Sequence, residues 1–301
     1  MYTQNIVEDQ MRSGHMACPG CGSAIAMRLV LRALGPKTLA VIIPSCSSII
    51  AATHPHSSLR VPAFHGTFET AAPTAAGLSY AMKIRGKNDV AVVAFAGDGG
   101  TFDIGLQSLS GTADRNEDYI YVCLDNEAYM NTGIQASSAT PQNAWTITTP
   151  KGRTARKKNI MEIMAAHRIP YAATASIGYP QDLMDKVQKA RSMEGTKFIH
   201  ILTPCATGWR MAENLTVTAA MLAVETKVFP LYEILGGKTR TITYVPQGLP
   251  VEEYLKSQGR YRHLSGVEIE RMQAETDEDW ECLLRRAMDC QPLCANEKEV
   301  V

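Results

Sequence analysis

Two short motifs in this chain of 301 residues carry reactive side chains at chemically useful spacings. In Cys18-Pro19-Gly20-Cys21 the two-residue gap lets both thiolates grip one metal or cluster, and a helix starting at Ser23 would favour them through its dipole. In Ala96-Gly97-Asp98-Gly99-Gly100 the glycines let the backbone turn tightly against an anionic group. A helix starting near Asp103 would point its N-terminal amides the same way. A carboxylate inside such a turn repels phosphate unless a cation lies between them. Asp98 therefore implies a bridging divalent ion, Mg²⁺ by its preference for oxygen ligands. One helix and one strand later, Asp125-Asn126-Glu127-Ala128 can offer the Asn126 carbonyl and a main-chain carbonyl near Ala128 to the same ion.

Eight cysteines are many for an otherwise ordinary chain. Cys46 and Cys205 each follow an apolar run, so with Cys18 and Cys21 they place thiols at strand ends and helix starts. Four thiolates suit zinc or a 4Fe–4S cluster, and Cys-x-x-Cys alone also fits a redox dithiol. Cys123 sits inside an apolar run and reads as a core residue, while Cys282, Cys290 and Cys294 receive no role.

These motifs need a scaffold, and the hydrophobic pattern supplies one. Apolar runs at 39–44, 90–95, 119–124 and 198–202 read as buried strands. Helical periods cover 23–34, 69–85, 104–113, 159–167, 181–192 and 215–226, with Gly or Pro at several of the stops. The alternation predicts an α/β fold with a doubly wound, mainly parallel sheet covered on both faces. Ligands of such sheets sit beyond the carboxyl ends of the strands, which is where the motifs fall. Residues 128–158 form the longest aperiodic stretch, and its basic cluster (Lys151, Arg153, Arg156, Lys157, Lys158) reads as a solvated loop or a contact to phosphate or a partner. Residues 1–235 read as the cofactor-binding domain. Residues 236–301 read as a C-terminal extension, with a turn at Gly236-Gly237, a hairpin-like 240–245 and a helix from about Ser265.

Thirty basic and thirty acidic residues leave a formal net charge of zero, which excludes a chain built to coat nucleic acid or a membrane surface. No run approaches the roughly 18–20 apolar residues of a membrane span, and the N-terminus lacks a secretory pattern. A cytoplasmic protein with reduced thiols is expected.

Together the motifs resemble the β subunit of multisubunit 2-oxoacid:ferredoxin oxidoreductases, of which pyruvate:ferredoxin oxidoreductase is the best-known member. The matching blocks are 15–21 (His-Met-Ala-Cys-Pro-Gly-Cys), 45–48 (Ser-Cys-Ser-Ser), 96–100 with 103–107, 125–135 (Asp-Asn-Glu-Ala-Tyr-Met-Asn-Thr-Gly-Ile-Gln) and 204–209 (Pro-Cys-Ala-Thr-Gly-Trp), with further likeness at 169–177 and 254–260. The resemblance implies a thiamine-diphosphate-binding fold and one 4Fe–4S cluster on Cys18, Cys21, Cys46 and Cys205. It implies Mg²⁺ held on the diphosphate by Asp98, Asn126 and the Ala128 main chain. It also implies a thiamine site lined by Cys46, Ser47, Ser48, Gly97, Gly99, Gly100 and Thr132, with Asn131 near the reacting carbon as the catalytic residue. A cluster beside the cofactor would give electrons a one-at-a-time exit, which zinc cannot. The implied partners are α, γ and δ subunits or their equivalents, a ferredoxin or similar acceptor, a small 2-oxoacid and coenzyme A. The α subunit would carry the Glu that activates the cofactor, with Glu69 a candidate helper in this chain.

One stretch departs from the pattern. Residues 49–65 lack the Trp and Glu associated with archaeal pyruvate enzymes and carry His54, His56 and His65 instead, His65 being the one best placed to reach cofactor or substrate. Pyruvate is the leading substrate, with oxalate, phenylglyoxylate and branched 2-oxoacids open. The competing functions are a non-oxidative thiamine-dependent decarboxylase or synthase, and a zinc-stabilised assembly subunit without chemistry of its own.

Overall fold

Strands made of unbroken apolar residues must be covered on both faces, and the computed structural model, which describes residues 9–288, is built that way. Eight strands form one sheet: β1 (Thr38–Ile42), β2 (Ala63–His65), β3 (Ala91–Gly97), β4 (Tyr119–Asp125), β5 (Tyr171–Ser176), β6 (Thr196–Leu202), β7 (Tyr232–Leu235) and β8 (Thr239–Ile242). Their order is β2-β1-β3-β4-β6-β5-β7-β8. The first six run parallel, whereas β7 pairs antiparallel with β5 and β8 antiparallel with β7.

Side chains alternate between the faces with the two-residue strand period. Val93, Phe95, Ile120, Val122, Ile199 and Ile201 pack against α1 (Gly22–Leu34), α2 (Cys46–Ala51) and α6 (Pro180–Arg191). Val92, Ala94, Tyr121, Cys123 and Phe198 face the opposite layer. That layer holds α3 (Ala71–Ile84), α4 (Leu106–Asp114), α5 (Ile160–Ala166) and the far end of α10 (Gly266–Met288). Cys123 is fully buried there, as a core thiol should be.

The strand order matters for function. β1, β3, β4 and β6 are successive neighbours, so the segments leaving their carboxyl ends (Pro44–Cys46, Asp98–Gly100, Asn126–Tyr129 and Thr203–Cys205) emerge side by side. A third cluster of buried residues joins α8 (Thr216–Glu225), α9 (Val251–Lys256) and the start of α10 to Trp209.

Several elements lie outside the sequence reading or shift from it. The helix expected at 104–113 is α4, but a π-helical turn over Gly99–Asp103 precedes it. The amides that follow Asp98 are thus already helical, four residues earlier than the expected start near Asp103. The short β2, β5 and β7 and the six-residue helices α2 and α9 escaped detection because their runs are too short or too rich in small and polar residues to show a period. The expected turn at Gly236-Gly237 joins β7 to β8, so the chain on both sides of residue 236 shares one sheet. The basic stretch is not solvated throughout: Lys157 is drawn into the interior, Lys158 donates to the Phe102 carbonyl, Arg153 to the Thr140 carbonyl, and Arg156 pairs with Asp279. Among the described residues no helix is long and apolar enough to cross a membrane.

Candidate active site

The metal-type turn is assembled from β3 and β4. Gly99 and Gly100 are there because of close approach: a Cβ on Gly99 would drive into the Tyr129 ring, and one on Gly100 would come within 2.7 Å of Ile43 Cδ1. Tyr129 is fixed over that glycine by its hydroxyl, which donates to Asp103 Oδ2 at 2.7 Å, and by an edge-on contact with Phe68.

Asp98 is 1% exposed. One carboxylate oxygen accepts from the Ser137 hydroxyl, and the other faces the Asn126 side chain at 3.1 Å. With its carbonyl arm inward, Asn126 also lies 2.9 Å from the Ala128 main-chain oxygen. Turning the amide end for end would make both contacts hydrogen bonds, and a divalent cation would satisfy all three oxygens as they stand. Burial, and then the neighbouring Asp125 carboxylate, push the Asp98 carboxyl well above its usual range, so an anion here gains from a cation. The donor set therefore fits a hard, oxygen-seeking ion.

Beside the turn opens a cavity of about 210 Å³. Of the residues expected at the cofactor, Cys46, Ser47, Gly97, Asp98, Gly99, Gly100, Asn126, Ala128, Asn131 and Thr132 line it. Two do not. Ser48 turns back to cap α2, its hydroxyl donating to the Ser45 carbonyl at 2.8 Å and accepting from the Ser45 amide. His65 ends the edge strand β2 and is exposed. Asn131 and Thr132 are exposed at the mouth, and Glu69 is exposed outside the cavity lining.

The thiols gather on the same edge. Cys46 opens α2, Cys21 caps α1 and Cys205 caps the short α7 (Ala206–Trp209), its sulfur accepting from the Gly208 amide at 3.4 Å. Gly22 lets these loops touch, because its amide donates to the Pro204 carbonyl at 3.3 Å and a Cβ would lie 2.7 Å from that oxygen. Cys46 is pushed up to about 12, first by burial and then by Cys205, Cys21, Asp98 and Cys18. Cys21 and Cys205 are also raised, chiefly by burial, with amides of their own helix starts opposing. All four sulfurs thus lie within electrostatic reach of one another, and four crowded thiols fit a group that takes them as thiolates. They are not drawn into a closed ligand set: among the described residues no three His, Cys, Asp or Glu side chains stand as a metal-holding group. Cys282 lies on α10 and is not part of this group, and Cys290 and Cys294 lie outside the described residues.

Behind the metal turn lies a buried charge network that sequence reasoning missed. Lys157 Nζ sits 2.6 Å from Asp125 Oδ2 and 2.9 Å from Glu127 Oε1; His200 Nε2 reaches Asp125 Oδ2 at 2.7 Å, and Arg260 reaches Glu127 Oε2 at 2.6 Å. Burial alone would raise Asp125, but Lys157 and His200 outweigh it and hold the carboxyl at about 2. Glu127 adopts φ 67°, a left-handed conformation that costs a non-glycine residue about 1 kcal/mol, directly between Asn126 and Ala128. The available signal was charge beside an apolar strand end; the lysine and arginine partners are too distant in sequence to be inferred.

A parallel sheet with a glycine-aspartate turn and an asparagine turn on adjacent strands defines a thiamine-dependent type of fold, and residues 45–201 match the family described as "Thiamine pyrophosphate enzyme, C-terminal TPP binding domain". The chain is 49% identical over 276 residues to pyruvate synthase subunit PorB of Methanothermobacter marburgensis, covering 90% of this chain and 96% of the relative. It is 45% identical over 292 residues to ketoisovalerate oxidoreductase subunit VorB of Pyrococcus furiosus, covering 93% and 94%. Among solved structures it is similar to a 2-oxoglutarate:ferredoxin oxidoreductase from Magnetococcus marinus with 2-oxoglutarate, coenzyme A and succinyl-CoA bound. That match has 27% identity and a TM-score of 0.57, over 66% of this chain and 67% of that one. The chain belongs to the 2-oxoacid:ferredoxin oxidoreductase β-subunit family, whose members are subunits of multisubunit oxidoreductases.

Proposed function

We propose that this chain is the thiamine-binding catalytic subunit of an oxidoreductase that converts a 2-oxoacid to an acyl-CoA and passes the electrons through a 4Fe–4S cluster to a ferredoxin-type acceptor. The observation that carries the reading is the convergence of the Asp98 carboxyl, the Asn126 side chain and the Ala128 carbonyl at the wall of a 210 Å³ cavity, with four thiols on the same edge. When bound, thiamine diphosphate supplies an electron-sink carbon for releasing carbon dioxide, and the cluster accepts electrons singly.

Asp98, Asn126 and the Ala128 carbonyl would hold Mg²⁺ for the diphosphate, and the helical amides after Asp98 would add donors. Cys18, Cys21, Cys46 and Cys205 would hold the cluster. Asn131 and Thr132, at the cavity mouth, meet the substrate side. The exposed Asn131 and Thr132 leave that mouth open, which suits a partner subunit that completes the site and brings the activating carboxylate. We assign residues 1–235 as the cofactor unit and 236–301 as its C-terminal extension. The named relatives act on pyruvate or ketoisovalerate, and a short 2-oxoacid of that kind is the substrate we assign.

The test is anaerobic purification of the intact complex, analysis for thiamine, magnesium and iron, and acceptor reduction with a panel of 2-oxoacids and coenzyme A. Iron, magnesium and thiamine together with coenzyme A-dependent turnover is the expected result. Zinc without iron would return the chain to a structural role, and carbon dioxide release without acceptor reduction would make it a non-oxidative decarboxylase.

A further inference from the structure

Arg260 stands in the C-terminal stretch, 133 residues from Glu127, yet it is 2% exposed and reaches the heart of the site. Its guanidinium donates to Glu127 Oε2 at 2.6 Å and lies over the Trp209 ring, 3.8 Å from the ring centre. It also donates to Gln258 Oε1 at 2.7 Å and to the Tyr254 hydroxyl at 3.3 Å, so its own placement is fixed from behind. Trp209 is fully buried and donates its indole N–H to the Asn126 main-chain oxygen at 2.9 Å. The same tryptophan closes the α7 turn, its amide donating to the Cys205 carbonyl at 2.8 Å. One guanidinium thus touches both the turn that faces the metal and the loop that begins with a cluster thiol.

We propose that Arg260 is a positioning residue that fixes the 126–128 turn and the 205–209 loop against each other, through Glu127 on one side and Trp209 on the other. This rests on the reading of those two loops as the Mg²⁺–thiamine diphosphate side and the cluster side. Glu127 is held in its left-handed conformation by Lys157 on one oxygen and Arg260 on the other, and that conformation sets the directions of the Asn126 and Ala128 oxygens. Arginine suits the task because its flat fork donates in plane and stacks through its face, and lysine can do only the first. The C-terminal segment consequently enters the site without lining the cavity.

The two halves of the bracket separate by mutation. In the anaerobically purified complex, two readouts are followed: the Mg²⁺ concentration that half-saturates thiamine diphosphate binding, and the electron paramagnetic resonance spectrum of the reduced cluster. Arg260→Met should raise the Mg²⁺ requirement roughly tenfold, as losing an outer-shell partner does, and alter the cluster spectrum. Arg260→Lys keeps the ion pair with Glu127, so the Mg²⁺ requirement should return toward wild type with the spectrum still altered. Trp209→Phe keeps a ring for stacking and loses the bond to Asn126, so the Mg²⁺ requirement should rise with the spectrum unchanged. If Arg260→Met fails to fold, the opposite splits of the other two variants still decide. Wild-type values for both readouts in Arg260→Met, or parallel loss of both readouts tracking a lower melting temperature in all variants, would overturn the bracket. A wild-type complex that binds no thiamine diphosphate refutes the functional reading itself, and the bracket falls with it.

Discussion

After β3 and β4, the Asn126 amide lies within 3.1 Å of both an Asp98 carboxyl oxygen and the Ala128 carbonyl oxygen, whereas among the described residues the thiols after β1 and β6 share an electrostatic neighbourhood without closing into a metal-sized group. The difference follows from what backs each side. The oxygens stand on a buried lattice of Ser137, Lys157, His200 and Arg260 that folding alone assembles. The thiols stand on helix starts and on an N-terminal loop whose Cys18 is exposed. On the proposed reading, a hard-ion site would be set before its ion arrives, and the thiol set would be completed by what it binds. The most severe test is Asp98→Ala. It should abolish Mg²⁺ and thiamine diphosphate binding together, a loss beyond the roughly 10–100-fold that outer-shell changes cost, and leave iron content intact. Titration calorimetry showing retained cofactor would break the oxygen half of the comparison.

Cys205→Ser makes the reciprocal cut. Iron should be lost and acceptor reduction should fall by more than tenfold, roughly, since an outer-shell change alone can cost that much. Mg²⁺-dependent thiamine diphosphate binding should survive. If the two activities fell together, the sides would not be independent.

How much of this was legible beforehand depends on range in sequence. Asp98 and Asn126 each directly follow an apolar strand, so local pattern located them, and the doubly wound sheet followed from the same alternation. Cys46 and Cys205 were singled out for the same reason, and Cys18 with Cys21 by their two-residue spacing. Arg260, Lys157 and Ser137 were not: each reaches the site across a long separation, and their neighbours in sequence read as loop or tail. Ser48 and His65 misled because a motif fixes which residues are near a turn, while the backbone decides which way each side chain points.

Lys157→Met tests the lattice behind the oxygens. It leaves Asp125 and Glu127 buried with one cation fewer, which should cost about 3 kcal/mol of unfolding free energy, the low end for breaking a buried pair, because His200 and Arg260 remain. Chemical denaturation of the wild type and the variant measures it; a change below about 1 kcal/mol, the scale of an exposed pair, would place the brace elsewhere.

A smaller effect belongs to the thiol side without its cluster. Cys46 holds its proton in the folded chain up to about 12, against 9.0 as its ordinary value. The unfolded chain therefore loses that proton first. Stability should be full below pH 9 and fall as pH rises toward 12, and Cys46→Ala should remove that slope. Thermal melts of cluster-free protein across that range read it directly, and an unchanged slope in the variant would assign the alkaline loss to other groups.

The finest cut is Ser48→Ala, because it separates two roles for one hydroxyl. The family resemblance puts Ser48 at the thiamine, whereas its hydroxyl is spent on the Ser45 backbone at the start of α2, the helix that opens with Cys46. Losing such a cap costs about 1 kcal/mol, felt where the helix begins. The loss should therefore appear on the thiol side, as faster release of iron to a chelator, with the Mg²⁺ requirement for thiamine diphosphate unchanged. A weakened thiamine affinity with steady iron would put Ser48 on the oxygen side after all, and would mean that α2 turns toward the cavity when the cofactor enters.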